Sequence, residues 1–186
     1  MLKLLYAKKI KIPSSVLSIG DYAFFGCSGI EKVDLHENIT SIGENTLAGC
    51  SGMKEFYVGK NIKNFDLKIL EDFIALEKLY IHPDCSGYIV DDSGGVIKEE
   101  IIYDVNYYNT YCFNYYPPCA PDETYAVPES VRYIKSNTFN GNKNIKTLYL
   151  PKNLKRFFDS AFDGCTGITD VYYCGTEEEW NKIKIG

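Results

Sequence analysis

Cysteine, histidine and the acids are the side chains here able to do chemistry, so their number and spacing come first. Cys27, Cys50, Cys85, Cys112, Cys119, Cys165 and Cys174 make an odd total of seven, so at least one stays unpaired unless chains are cross-linked. Structural zinc needs four nitrogen or sulfur ligands, commonly with two cysteines close in sequence. No Cys-x-x-Cys occurs, and only His36 and His82 supply imidazole. Each histidine follows an apolar segment, two repeat units apart, which at a strand spacing of about 4.8 Å separates them by about 10 Å. That is too far for one metal ion or one proton relay. No glycine-rich phosphate loop, Gly-x-Ser-x-Gly elbow or His-Glu-x-x-His helix is present. The acids are spread along the chain as on any solvated acidic surface, with nothing that singles out a glycosidase pair. The expectation is therefore no catalytic residue, no cofactor and no metal. Asn38-Ile39-Thr40 matches a glycosylation sequon, which matters only in a eukaryotic secretory pathway.

Net charge is −5 with a pI near 5.1, and Lys and Arg are scattered through the sequence. Neither a nucleic-acid footprint nor a polybasic membrane patch is visible. The longest apolar run near the start, Leu4 to Ala7, falls short of the roughly 7 to 15 residues of a signal-peptide core, and no stretch is long enough to span a bilayer. No nucleic-acid partner and no membrane insertion are expected.

The elements that position these residues come from a repeat. Ile30-x-x-Val33-x-Leu35, Met53-x-x-Phe56-x-Val58 and Leu76-x-x-Leu79-x-Ile81 succeed one another at 23 residues, as do Ile145-x-x-Leu148-x-Leu150 and Ile168-x-x-Val171-x-Tyr173. A unit this short cannot bury its own apolar face, so it folds only by stacking on its neighbours. Two apolar residues two apart face one side of an extended segment, so each repeat supplies a short strand, and successive strands pair in parallel. A turn and an apolar pair follow, as in Val16/Ile19, Ile39/Ile42, Val131/Ile134 and Leu154/Phe157. Next comes a small-bulky-x-Gly cluster: Ala23-Phe24-x-Gly26, Thr46-Leu47-x-Gly49, Thr138-Phe139-x-Gly141 and Ala161-Phe162-x-Gly164. It reads as a short helical turn that packs its large side chain inward and ends where positive φ is cheap, so Phe24 and Phe162 are expected almost fully buried. Cys27, Cys50 and Cys165 fill one interior repeat position as free thiols. Cys27 and Cys50 are near enough to bridge in principle, and Cys112 and Cys119 are the pair favoured if the protein is exported. The third repeat lacks glycine over Asn64–Ile74 and reads as a longer helix.

The string Ile12-Pro13-Ser14-Ser15-Val16-Leu17-Ser18-Ile19-Gly20-Asp21-Tyr22-Ala23-Phe24-Phe25-Gly26-Cys27 closely resembles the BspA-like leucine-rich repeat of bacterial and some protozoan surface proteins. The resemblance covers nearly the whole chain and implies an α/β leucine-rich-repeat right-handed solenoid. Its expected parts are one parallel sheet, short helical turns on the return path, an inserted β-hairpin and a C-terminal capping helix. It also implies a cell-surface or secreted location, with a cytoplasmic one as the alternative.

One domain, 1–186, is expected, with an insertion at 82–126 and a cap at 175–186. Within the insertion, Tyr88 to Ile97 reads as two strands around an Asp/Ser/Gly turn, followed by a Tyr/Asn-rich loop carrying Tyr107, Tyr108 and Tyr111. That loop is either a recognition element or a cover for the core. Thr176-Glu177-Glu178-Glu179 spells a capping box that should lay Trp180 and Ile183 over the last coil. On the outward side of the repeat strands, Tyr57, Tyr80, Tyr149 and Tyr172 fall in one row, bordered by Lys32, Glu55 and Lys78. Tyrosine at these places suits a protein- or glycan-binding surface, and equally a cross-strand ladder that stiffens the sheet. The functional expectation is a non-enzymatic binding or adhesion module that meets a protein or glycan partner. The alternative is an intracellular scaffold or a structural spacer.

Overall fold

A computed structural model describes residues 7–63, 65–82, 84–85, 88–90, 95–102 and 108–186, with backbone alone at 88–90, 98–102 and 108–111. The chain forms two compact units, Met1–Val90 and Asp91–Gly186, each a stretch of β-solenoid with very little helix.

The first unit contains β1 (Lys9–Ile10), β2 (Ser18–Ile19), β3 (Lys32–Leu35), β4 (Ser41–Ile42), β5 (Glu55–Val58), a 3-10 turn at Leu67–Leu70, β6 (Lys78–Ile81) and β7 (Tyr88–Val90). Strands β1, β3, β5 and β6 make a parallel sheet in that order. Register is one repeat per strand, Val33 opposite Phe56 opposite Leu79 and Asp34 opposite Tyr57 opposite Tyr80. Any other register would turn the apolar side chains to solvent. Val33, Leu35, Phe56, Val58, Leu79 and Ile81 are buried accordingly. On the return path β2 pairs with β4, Ser18 opposite Ser41.

In the second unit β8 (Val96–Ile102) lies antiparallel to β9 (Tyr108–Tyr115). The remaining elements are β10 (Thr124–Ala126), β11 (Val131–Ile134), β12 (Thr147–Leu150), β13 (Arg156–Phe157), β14 (Asp170–Tyr173), α1 (Glu177–Trp180) and β15 (Lys184–Ile185). Strands β10, β12 and β14 form the parallel repeat sheet, while β9, β11, β13 and β15 lie side by side in a second one. The core between them is aromatic. Phe139 is fully buried and lies 5.3 Å from Phe113, 5.4 Å from Tyr116 and 5.1 Å from Phe162, ring centre to ring centre.

Polar groups inside the coils are satisfied from one coil to the next. Thr46 Oγ1 donates toward the Gly43 and Gly20 carbonyls at 2.6 and 3.1 Å, and Thr138 Oγ1 does the same toward Lys135 and Phe113 at 2.7 and 2.9 Å. Cys50 Sγ donates to the Phe24 carbonyl at 3.2 Å and Cys165 Sγ to the Phe139 carbonyl at 2.8 Å. Asn142 replaces cysteine at this position. Its Nδ2 reaches the Pro117 carbonyl and its Oδ1 accepts from the Asn144 and Ile145 amides, so burying the amide leaves nothing unpaired.

Several expectations are corrected. The small-bulky-x-Gly clusters are hydrogen-bonded turns, not helices, and each holds two left-handed residues: Tyr22 and Gly26, Asn45 and Gly49, Asn137 and Gly141, Ser160 and Gly164. Two such residues within five positions stop helical propagation. The long helix expected in the third repeat is reduced to one turn, capped by the Asp66 side chain on the Lys68 amide. Phe24 and Phe162 are half-buried, whereas Leu47 and Phe139 at the same repeat position are fully buried. Full burial there needs a coil on both sides. The Tyr/Asn-rich segment is no loop from Tyr108 onward: β9 is hydrogen-bonded to β8 on one side and β11 on the other. Phe113 and Tyr116 enter the core. The turn expected at Asp91–Gly94 lies outside the described residues.

The C-terminal capping box forms as expected, while the cover it gives the last coil is partial. The Glu179 amide donates to Thr176 Oγ1 at 3.2 Å, the Thr176 amide donates to Glu179 Oε2 at 2.8 Å, and this backbone contact holds the Glu179 carboxyl below its ordinary pKa. The Trp180 ring rests 5.4 Å from Tyr173 and 6.3 Å from Phe157. The helix is one turn long, and Val171 is left about half exposed beside it.

Candidate interaction surface

The outward side chains of a parallel sheet repeat at the strand spacing, so a residue type conserved in phase becomes a row. In the first unit Tyr57 and Tyr80 are opposite each other on β5 and β6, rings 6.3 Å apart and tilted, with Tyr80 the more exposed. Lys32 on β3 reaches across to Glu55 at 2.6 Å while its ammonium sits 4.7 Å from the centre of the Tyr57 ring. Tyr57 Oη lies 3.4 Å from Glu55 Oε2. The Lys32 ammonium beside Glu55 lowers the carboxyl's pKa, and the same contact raises that of the lysine. Lys78, exposed on β6, faces Glu55 from the other side. The result is a polar, ordered border along an aromatic pair.

In the second unit Tyr149 and Tyr172 are opposite each other on β12 and β14 and stack at 5.1 Å with ring planes 19° apart. Both are exposed, Tyr149 at 38% and Tyr172 at 52%. The four tyrosines are therefore two pairs, one on each unit's repeat sheet. Of the other candidates, Tyr107 lies outside the described residues, and Tyr108 and Tyr111 belong to the backbone of β9.

Among the described residues no disulfide is formed, so Cys27 is not bridged to Cys50 nor Cys112 to Cys119. Cys27, Cys50, Cys85 and Cys112 are buried, and burial pushes the Cys50 thiol up to about 11. Cys165 is pushed up to about 11 for the same reason although it is only half-buried. His36 and His82 share a local role: each Nδ1 lies near the amide two residues on, Asn38 at 3.3 Å and Asp84 at 3.2 Å, as turn formers do. Among the described residues no group of three His, Cys, Asp or Glu is arranged to hold a metal ion, and no helix is long and apolar enough to cross a membrane.

Sequence reasoning missed one feature of the surface. Ion pairs link neighbouring coils at one-repeat spacing: Lys8–Glu31, Lys54–Glu31, Lys32–Glu55, Lys60–Glu37 and Lys146–Glu123. The signal was present in the alternation of Lys32, Glu55 and Lys78 at one phase. Each pair is largely solvated and contributes little to stability.

Residues 3–92 and 96–183 match the BspA type leucine rich repeat region in six copies. The chain belongs to the BspA-type leucine-rich-repeat family. Solved structures similar to this BspA-type chain include a T. pallidum leucine rich repeat protein, at 17% identity over 97% of this chain and 74% of that one, TM-score 0.51. The pneumococcal vaccine antigen PcpA is 18% identical over 90% of this chain and 51% of its own length, TM-score 0.59. A leucine-rich repeat protein of Eubacterium ventriosum is 16% identical over 91% of this chain and 60% of that one, TM-score 0.51. At these identities the likeness is one of fold. A search of curated proteins finds no match.

Proposed function

We propose that this BspA-type solenoid is a non-enzymatic binding module, displayed at a cell surface, that presents the outward face of its repeat sheets to a protein or glycan partner. The observation that carries the reading is the pair of stacked, exposed rings Tyr149 and Tyr172 on the outward face of the second unit's repeat sheet. Stacking fixes the rings before a partner arrives, so little side-chain entropy is lost on contact, and each ring offers apolar area with a hydroxyl at its tip. The same stacking also stiffens the sheet.

Captured matrix proteins and immobilised host glycans, each presented to wild type and to Tyr149→Ala/Tyr172→Ala, test the reading. The double variant should lose more than about 2 kcal/mol of binding, the scale of a hot-spot pair, while its far-ultraviolet spectrum stays unchanged. Equal capture by both proteins would leave the tyrosines as a sheet-stabilising ladder.

A further inference from the structure

We infer that the second sheet of the 91–186 unit carries a binding site for an anionic polysaccharide, formed by Arg132, Lys155 and Arg156 with Lys135 and Lys184 beside them. In each return strand the residues at the ends of the apolar pair point inward, Val131 and Ile134 in one coil and Leu154 and Phe157 in the next, all buried. Of the residues between them, Arg132 in one coil and Lys155 and Arg156 in the next reach solvent, while Tyr133 is buried. At the matching places the first unit has Leu17-Ser18, Thr40-Ser41 and Lys63-Asn64, one cation in three coils. The second unit has Arg132-Tyr133 and Lys155-Arg156. The fold lays these side by side: the Lys155 amide bonds to the Arg132 carbonyl at 2.8 Å, Tyr133 is opposite Arg156, and Arg156 is opposite Lys184. Lys135 joins from the strand end, its ammonium 5.2 Å from the Phe158 ring centre, with the Arg156 guanidinium 4.6 Å from the same ring.

Two observations separate this patch from ordinary surface charge. The one-repeat ion pairs neutralise Lys8, Lys32, Lys54, Lys60 and Lys146, yet among the described residues no carboxylate side chain lies within ion-pair distance of Arg132, Lys155 or Arg156. Arg156 donates one Nη to the Gly186 main-chain oxygen at 2.6 Å, while its buried Nε has no partner. In a chain of net charge −5, Arg132, Lys155 and Arg156, set on adjacent strands without a carboxylate side chain among them, attract a complementary anion.

The shape of the face selects the class of anion. Strand β13 is paired on both sides, by β11 and β15, so it offers no edge to an acidic peptide adding as a strand. Tyr133 is buried and Phe158 is covered by its two cations, so no open aromatic platform waits for a nucleic-acid base. What is left is a shallow line of cations stepping from coil to coil at about the strand spacing of 4.8 Å. An extended chain bearing carboxylate or sulfate groups at regular intervals fits it. The site uses a different sheet from the stacked tyrosines and stands or falls separately from them.

The test is binding of the intact chain to dextran sulfate, with uncharged dextran, single-stranded DNA, polyglutamate and acidic lipid vesicles as parallel arms. Wild type should bind dextran sulfate in a salt-sensitive manner and ignore dextran. Arg132→Gln/Lys155→Gln should weaken that binding by about tenfold or more, whereas Lys54→Gln/Lys146→Gln, with the same change in net charge, should alter it by less than about twofold. Lys155→Glu, at an exposed position, repeats the test without risk to folding. Equal loss in the two double variants, no binding by wild type, or tighter binding to any of the other polyanions would overturn the assignment.

Discussion

Phe139→Ala is the perturbation that most directly probes how the coils are held together. The ring is fully buried and contacts rings from three other segments: Phe113 of β9, Tyr125 of β10, and Phe162 of the following coil, the last stacked at 5.1 Å with planes 8° apart. Truncating a buried phenylalanine costs about 3–5 kcal/mol from lost transfer energy and the residual cavity. Collapse is poor here because the walls are β-strands fixed by their ladders, which puts the loss toward the upper end. For a chain of this length about 1 kcal/mol moves Tm by roughly 2–4 °C, so a fall of about 10 °C or more is expected. The comparison variant is Phe162→Ala, at the same repeat position but half-buried, which should lose clearly less. Thermal unfolding followed by circular dichroism on wild type and both variants decides the matter. If Phe162→Ala proved as costly as Phe139→Ala, the argument that burial requires a coil on both sides would be wrong.

Other outcomes follow from particular residues. Gly52→Ala and Gly167→Ala drive a methyl group into the Ser28 and Lys143 carbonyl oxygens of the preceding coils, and each should cost more than about 2 kcal/mol by urea titration. Ser160→Asn keeps the left-handed backbone at φ 61 with a residue that tolerates it, and should raise stability by about 0.5–1 kcal/mol. Cys174 is exposed and should react with a thiol reagent in the native protein, while Cys50, Cys85 and Cys112 react only after unfolding; rapid native labelling of Cys50 would contradict its buried place. Because Cys50 titrates near 11 when folded against an ordinary 9.0, the folded state holds its proton more tightly. Its contribution is therefore fully present below pH 9 and lost as pH rises toward 11, a decline that Cys50→Ala should reduce in alkaline denaturation curves.

The sequence alone determined what depends on phase. A 23-residue spacing of apolar residues allows one parallel register, and Val33, Phe56 and Leu79 adopt it, with Asp34, Tyr57 and Tyr80 outward, because a slip by one residue would turn the core to water. The capping box at Thr176 and Glu179 was legible for a similar reason, since its geometry involves only neighbours in the chain. What the tertiary structure decided depends on partners distant in sequence. Tyr108 to Tyr115 carries the composition of a loop and becomes a strand because β8 and β11 satisfy its backbone from both sides. Phe24 and Phe162 share a motif with the fully buried Phe139, yet burial is set by the number of coils stacked on them. The cations look scattered in the sequence. Only the coil, by returning Arg132 beside Lys155 and Tyr133 beside Arg156, gathers them on one sheet, because a solenoid makes neighbours of residues one period apart.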